Sequence, residues 1–167
     1  MKKNSTPEFL TAATLFKINK KLKVINLKIP KLKEGQILVK VFYSGICRSQ
    51  LMEIFGGRDN KKWLPHLLGH EASGQVVQVG KNVKKVKPMD NVILTWIKSI
   101  GLEAQSPNFF YKNKKVNAGK VTTFSNYSIV SENRVVKKPK NLNFKDAVFF
   151  GCAFPTGAGM VFNEIKV

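Results

Sequence analysis

Short runs of apolar and β-branched residues, separated by polar turn residues, make up most of the chain. Within these runs, apolar side chains either alternate with polar ones or stand in dense groups, which is typical of half-buried and fully buried strands. The segments between them, such as PKLKEGQ and GKNVKKVKPMD, contain Gly, Asn and Pro, which favour turns. We therefore predict strands at 11–17, 22–29, 36–46, 72–79 and 91–97, and two more within 122–136. Many short strands at such intervals favour a closed or partly closed β-barrel.

Helices are predicted at two places. SQLMEIF at 49–55 lacks strand alternation, begins with Ser49 as a candidate N-cap and ends before two glycines. In the C-terminal segment, Asn143 is a capping candidate, and Pro155 can occupy the first turn of a helix running through 157–164. The polar segment 98–120 has no regular period, so we predict a long surface loop there.

Composition limits the class of protein. A chain of 167 residues with 43% hydrophobic residues is expected to form one domain around one core. The net charge of +19 is typical of proteins that bind polyanions. However, only three of the 29 basic residues are Arg, and the lysines are spread along the chain and not clustered. A solvated lysine-rich surface is the favoured interpretation, and a non-enzymatic polyanion-binding barrel is the alternative.

Targeting features are lacking in the sequence. The N-terminal segment has no apolar core before a cleavage-like site, and no apolar run approaches the 18 or so residues needed to span a bilayer. With two cysteines and no sign of a disulfide framework, a cytoplasmic location without membrane association is expected.

Cys47, His70 and Cys152 are the residues with the most distinctive chemistry. Two thiolates and one imidazole can hold a catalytic Zn²⁺ and leave its fourth tetrahedral position open, whereas a structural zinc needs four protein ligands. Taken singly, each is more often an ordinary core residue than a ligand. Their spacing matches no local CxxC or HExxH motif, so only the fold could bring them together.

Five ordered phrases carry a family resemblance: GICRSQ, LPHLLGHEASGQVVQVGKNV, KPMDNV, AGKVTTFSNYSIV and GCAFPTGAG. Together they resemble the medium-chain zinc-dependent alcohol dehydrogenase family. The resemblance implies a mainly β fold with short helices, the GroES-like partly open β-barrel, to which full-length relatives add an α/β Rossmann domain. On this basis residues 1–142 are expected to form the catalytic barrel. Residues 143–167 are expected to form a helical connection toward a nucleotide-binding domain that lies beyond this chain.

The resemblance also implies roles for residues of the site. Cys47, His70 and Cys152 correspond to the ligands of one catalytic zinc, and Glu71 to a carboxylate near the metal that can act as a transient ligand. The alternative for Glu71 is a surface carboxylate. Ser49 corresponds to the hydroxyl that takes the substrate proton, with a plain helix-cap role as its alternative.

Arg48 and Thr156 match positions that contact the cofactor, at its pyrophosphate and its nicotinamide ring respectively. Gln50 is a departure, because the family usually has Asp there as a partner of the ligand histidine. Met52 is another, because some members have a histidine there that ends the proton relay. Segment 98–120 contains no cysteine, so no structural zinc of the family's four-cysteine kind is expected.

The function expected from this resemblance is interconversion of a small alcohol with an aldehyde or ketone, by hydride transfer to NAD or NADP. The enzymatic alternative is a zinc-free relative similar to quinone reductases, which should lack the Cys and His ligands. The complete enzyme is expected to be a homo-oligomer with no specific nucleic-acid partner, and the 167-residue chain alone is expected to be inactive.

Overall fold

The computed structural model describes residues 6–59 and 61–166. Short β-strands form most of the ordered structure, and the helices are few and short. The strands are β1 Phe9–Leu15, β2 Lys23–Lys28, β3 Gln36–Ser44, β4 His66–Leu67, β5 Ala72–Val79, β6 Asn91–Leu94, β7 Phe109–Tyr111, β8 Lys114–Val116, β9 Tyr127–Ser131 and β10 Val135–Lys137. The helices are α1 Arg48–Ile54, α2 Phe144–Ala147 and α3 Ala153–Gly159, with 3₁₀ turns at Lys61–Trp63, Glu132–Arg134 and Val148–Gly151 and a π-helix at Met160–Ile165.

The strands form three antiparallel sheets. The largest has the order β10-β6-β5-β3-β9, the second has the order β2-β1-β4, and β7 and β8 form a separate hairpin. Register shifts between β3 and β5, at Leu38/Val39 and Val41/Tyr43, bend the long strand β3. The result is a curled half-barrel, so the predicted fold class is confirmed.

Two clusters of buried apolar side chains fill the barrel. One is built mainly from β1, β2 and the hairpin, with Leu10, Leu27 and Phe109 among its members. The other lies on the large sheet and includes Val39 and Val76. Alternation predicted from the sequence is visible in β2, where Ile25 and Leu27 face inward and the lysines face outward.

Most strand predictions are confirmed to within a few residues at their ends, and the segment around Glu132 separates two strands as predicted. The prediction of a structureless loop at 98–120 is wrong in part, because this segment contains the β7–β8 hairpin. Phe109 and Val116 are buried in the barrel core, and Lys112 and Asn113 take the positive φ values of a tight hairpin turn. Contacts with strands distant in sequence stabilise these very short strands.

The first helix begins earlier than predicted. Its N-cap is Cys47, in an extended conformation, so Ser49 lies inside α1 and the prediction of Ser49 as the cap is wrong. The cap at Asn143 is confirmed, since its side-chain oxygen accepts a hydrogen bond from the Asp146 N–H at 2.8 Å. Pro155 lies in the first turn of α3, which continues directly into the π-helix.

Within residues 6–59 and 61–166, no single helix is long and apolar enough to cross a membrane. The helical segments Phe144–Gly151 and Ala153–Ile165 reach the length and apolar composition of a membrane span only when they are taken together. They are bent by 52° from each other.

Glu132 is a buried carboxylate that ties two loops to the end of β9. One of its oxygens accepts hydrogen bonds from the N–H groups of Lys84 and Lys85, at 2.7 and 2.8 Å, and the other accepts from the N–H of Leu102 at 2.7 Å. Burial by itself raises the pKa of Glu132, but these hydrogen bonds and the Lys85 charge outweigh it and lower the pKa below its usual value.

We expect Glu132→Gln to lower the free energy of unfolding at pH 7 by about 1–3 kcal/mol, because an NH₂ group would then face one set of backbone donors. The pKa of Glu132 is depressed in the folded state, so its contribution is present above the unfolded pKa of about 4.3 and is lost as the pH falls through the folded value. Urea denaturation at pH 7 and at stepwise lower pH should therefore show the difference between the two proteins shrinking in acid.

Glu8→Gln is the matched control for this prediction, because the Glu8 carboxylate is exposed and forms an ion pair with Lys28 at 3.6 Å. Such pairs contribute about 0–1 kcal/mol, so this variant should stay close to wild type. Equal losses in the two variants at pH 7 would contradict the role given to Glu132.

Candidate metal centre

Three separate parts of the fold carry the Cys and His side chains. Cys47 caps α1 just after β3, His70 follows Gly69 in the turn between β4 and β5, and Cys152 lies between a 3₁₀ turn and α3. Gly69 has φ +87°, and a Cβ there would lie 2.3 Å from Thr123 Oγ1. Only glycine fits this turn, which directs the next residue, His70, toward the site.

The fold brings these three side chains together. One ligand atom from each of Cys47, His70 and Cys152 can be chosen so that all three lie within 4.8 Å of one another. Cys152 is buried, and the other two are half-buried. His70 Nε2 is buried and has no hydrogen-bond partner within the described residues, although buried polar atoms normally have one.

The electrostatics of the cluster favour the metal-binding forms of Cys47 and His70, whereas those of Cys152 favour its thiol form. Burial would raise the pKa of the Cys47 thiol, but hydrogen bonds from the Ser49 backbone and side chain and from Cys152 outweigh it and lower that pKa. Burial and the neighbouring Cys47 raise the pKa of Cys152. Burial, with a contribution from Arg58, lowers the pKa of His70, so its ring is neutral near pH 7. Thiolates and neutral imidazoles are the forms that bind metal ions.

Gln50 connects two of the candidate ligands. It is 1% exposed and is the third residue of α1. Its Oε1 accepts a hydrogen bond from the Cys47 N–H at 3.0 Å, and its Nε2 lies 2.7 Å from His70 Nδ1. Nε2 also donates to Ser49 Oγ at 3.0 Å. Gln50 therefore takes the position beside the histidine that the family usually gives to Asp.

The other predicted site residues surround this cluster. Ser49 Oγ lies 3.4 Å from His70 Nδ1, and Thr156 Oγ1 lies 4.0 Å from Cys152 Sγ. Arg48 is the first residue of α1 and lies next to Cys47 in the chain. The side chains of Ser49 and Thr156 thus lie beside the cluster, and Arg48 adjoins Cys47 along the backbone. The roles of all three toward substrate and cofactor stay predictions.

Glu71 is almost completely buried, at 2% exposure, so the alternative of a surface carboxylate is wrong. Its Oε2 accepts a hydrogen bond from the Ala153 N–H at 3.2 Å, directly after Cys152. Burial raises the pKa of Glu71, and the hydrogen bonds from the Ala153 and Cys152 backbone only partly oppose this rise. Glu71 is not a member of the three-residue cluster, which consists of Cys47, His70 and Cys152. Its role as a transient ligand stays a prediction.

A cavity of about 630 Å³ opens beside His70 and Gln50. Sequence reasoning did not assign two of the polar residues that line it, Glu53 and His66. His66 Nε2 and Glu53 Oε2 are 2.8 Å apart and link β4 to α1. One feature of the sequence could have identified His66 as a site residue. It is one of only two histidines and lies four residues before His70. Trp63 and Asn117 also line this cavity, which is large enough for a small organic molecule.

Comparison with known proteins now defines the class. Residues 33–140 match the family model described as the alcohol dehydrogenase GroES-like domain. This match covers more than half of the chain, so the chain belongs to the alcohol dehydrogenase family through its GroES-like domain.

Individual relatives agree with this assignment. The chain is 29% identical to an S-(hydroxymethyl)glutathione dehydrogenase of Escherichia coli O6:H1, over 93% of this chain and 49% of that protein. It is similar to the benzyl alcohol dehydrogenase of Acinetobacter calcoaceticus, with a TM-score of 0.78 and 26% identity over 96% of this chain and 49% of that one. An alcohol dehydrogenase zinc-binding domain protein from Burkholderia ambifaria has the same fold, with a TM-score of 0.82 and 24% identity over 95% of this chain and 50% of that one. The chain thus spans about half the length of these relatives.

Proposed function

We propose that this chain is the catalytic domain of a zinc-dependent oxidoreductase that interconverts an alcohol and an aldehyde or ketone, with NAD or NADP as the hydride carrier. Family membership supports the general class of alcohol and aldehyde oxidoreductases. The observation that carries the zinc-dependent assignment is the Cys47, His70 and Cys152 cluster, in which His70 Nε2 is buried without a partner.

The donor set fits Zn²⁺. Cys47, His70 and Cys152 would hold the ion, because thiolate and imidazole are its preferred ligands and two thiolates balance its charge. Three protein ligands leave one coordination position for a small molecule. When bound, zinc supplies a Lewis acid that favours deprotonation of an alcohol and polarises a carbonyl. A zinc-free relative would have no need of this set.

Ser49 is proposed to carry the proton of the alcohol. A hydroxyl can accept one proton and donate another, which a relay requires. Its Oγ lies beside the cluster, where it accepts a hydrogen bond from Gln50 and donates its own proton toward the Cys47 thiol. Because Cys47 and not Ser49 caps the helix, the competing role considered for this hydroxyl does not apply.

Arg48 and Thr156 are proposed to contact the cofactor, at its pyrophosphate and its nicotinamide ring. Both lie next to a candidate ligand, one in the chain and the other in space. Arg provides a planar pair of donors suited to a phosphate. Glu71, which is buried and accepts a hydrogen bond from the N–H of Ala153, is proposed as a transient metal ligand that exchanges with water.

The remaining proposals concern the whole protein. The relatives named above are about twice as long as this chain, and we propose that a Rossmann domain outside residues 1–167 supplies most of the NAD(P) site. One catalytic zinc, a homo-oligomeric enzyme, a cytoplasmic location and small alcohol or carbonyl substrates complete the proposal.

Ser49→Ala in the complete protein is the test of this function. We expect kcat for alcohol oxidation to fall by about 10²–10⁴-fold while bound zinc stays at the wild-type level, because only the proton transfer is lost. Turnover is measured as NAD(P)H formation across a panel of small alcohols and across pH, with zinc measured by elemental analysis on the same samples.

Ser106→Ala provides the matched control, since Ser106 lies in the segment before β7 and outside the site. It should keep wild-type turnover. Wild-type turnover in Ser49→Ala at every pH would remove Ser49 from the reaction. Carbonyl reduction that persists in zinc-free protein would favour the quinone-reductase-like alternative.

A further inference from the structure

The side-chain amide of Gln50 is held at both ends by fixed partners. Its oxygen accepts a hydrogen bond from the Cys47 N–H at 3.0 Å, which serves one of the unpaired donors at the start of α1. Its nitrogen donates to Ser49 Oγ at 3.0 Å and contacts His70 Nδ1 at 2.7 Å. The amide oxygen and both N–H groups of the amide therefore have partners, and the side chain is 1% exposed.

This arrangement determines where His70 carries its proton. An amide NH₂ group can only donate, so His70 Nδ1 must be the acceptor in the 2.7 Å contact. A neutral imidazole with an accepting Nδ1 carries its proton on Nε2.

Metal ligation requires the opposite tautomer. Nε2 is the ring nitrogen without a partner, so it is the atom available to a metal ion, and it must then be free of its proton. The proton moves to Nδ1, which needs an acceptor. Ser49 Oγ is 3.4 Å from Nδ1, longer than the usual N–H···O distance, so it is a poor acceptor for this proton.

Rotation of the amide would present Gln50 Oε1 to His70 but would break another hydrogen bond. The Gln50 NH₂ group would then face the Cys47 N–H, and two donors would oppose each other beside a ligand. A buried N–H without an acceptor is unfavourable. An amide at position 50 thus cannot accept from both groups at the same time, whereas a carboxylate can.

We infer that Gln50 is a positioning residue that holds metal-free His70 in the tautomer with Nε2 protonated, so that zinc binds only after the Gln50 amide turns and the ring proton moves to Nδ1. This inference rests on the proposed zinc site. Its consequence is a zinc affinity below that of the same site with a carboxylate at position 50, by about the 10–100-fold that outer-shell partners of a ligand histidine contribute.

Gln50→Glu tests the inference with almost no change in size. One carboxylate oxygen can accept from the Cys47 N–H and the other from a protonated His70 Nδ1. We expect the zinc dissociation constant of the purified 167-residue protein, measured by competition with a chromophoric chelator, to fall by about 10–100-fold. Gln78→Glu is the matched control, since it adds the same charge at an exposed position of β5 and should leave the dissociation constant unchanged.

The His70 tautomer is read independently of zinc binding, by ¹⁵N chemical shifts of the imidazole ring in metal-free protein. The chain has two histidines, so a His66→Asn variant assigns the signals. We expect an unprotonated Nδ1 and a protonated Nε2 in wild type, and the reverse in Gln50→Glu. A merely structural role for Gln50 would not invert these shifts.

Two results would overturn the inference while the proposed function stands. They are a protonated Nδ1 in metal-free wild type, and zinc binding by Gln50→Glu that is no tighter than wild type. Absence of zinc binding in both proteins would instead overturn the proposed function, and this inference with it.

Discussion

Replacement of Cys47 and Cys152 by alanine together should abolish zinc binding, whereas the wild-type chain should bind one zinc ion. The two thiolates are the softest ligands of the cluster and balance the charge of the ion, so the imidazole alone cannot retain it. Elemental analysis of the purified proteins after exhaustive dialysis measures the number of zinc ions per chain.

The two histidines offer a matched pair of variants for the same prediction. His70→Asn should lose zinc, because Nε2 of His70 faces the cluster without another partner. His66→Asn should keep zinc, because His66 pairs with Glu53 in the neighbouring cavity. Two zinc ions per wild-type chain, or one zinc retained in the double cysteine variant, would contradict the assignment.

Residues 1–167 on their own should give no measurable alcohol oxidation with NAD or NADP. The part of the chain that the structure describes forms antiparallel sheets and contains no βαβ unit with a phosphate-binding turn, the feature that grips a dinucleotide. Without that grip the nicotinamide is not held near the cluster. Holding the reactants in position can lower the activation free energy of hydride transfer by up to about 7–11 kcal/mol, and this contribution is then lost.

NADH and NADPH formation by the purified 167-residue protein, with zinc present, is the measurement. A Cys47→Ala protein prepared in parallel reports any contaminating dehydrogenase. The complete protein should be active under the same conditions. Robust turnover by residues 1–167 that disappears in the Cys47→Ala sample would show that this chain holds the cofactor by itself.

Local patterns were enough to predict much of the fold. The alternation in β2 and the dense apolar run of β5 each specify a strand through the side chains of a few neighbouring residues. The Asn143 cap is equally local, because its side chain binds a backbone N–H three residues later. These features depend on short stretches of chain, so sequence reasoning could place them.

The errors occurred where distant contacts decide the structure. The β7–β8 hairpin has only three residues in each strand, and burial of Phe109 and Val116 against strands elsewhere in the chain stabilises it. The start of α1 is the exception, because it depends on a local hydrogen bond from the Cys47 N–H to the Gln50 side chain, and Cys is not among the residues that usually cap a helix. The sequence did not decide whether Glu71 is buried or at the surface. Its burial depends on segments distant in sequence that pack over it in the fold.

The sequence by itself determined the mainly β fold class, the family and the types of donor atoms available at Cys47, His70 and Cys152. Only the tertiary structure decided that donors so far apart in the chain lie within 4.8 Å of one another, that Nε2 of His70 is the nitrogen without a partner, and that the Gln50 amide faces the other nitrogen. The physical reason is that strand and cap propensities act between near neighbours. A metal centre depends instead on the distances and hydrogen bonds that result when separate elements pack around a common core.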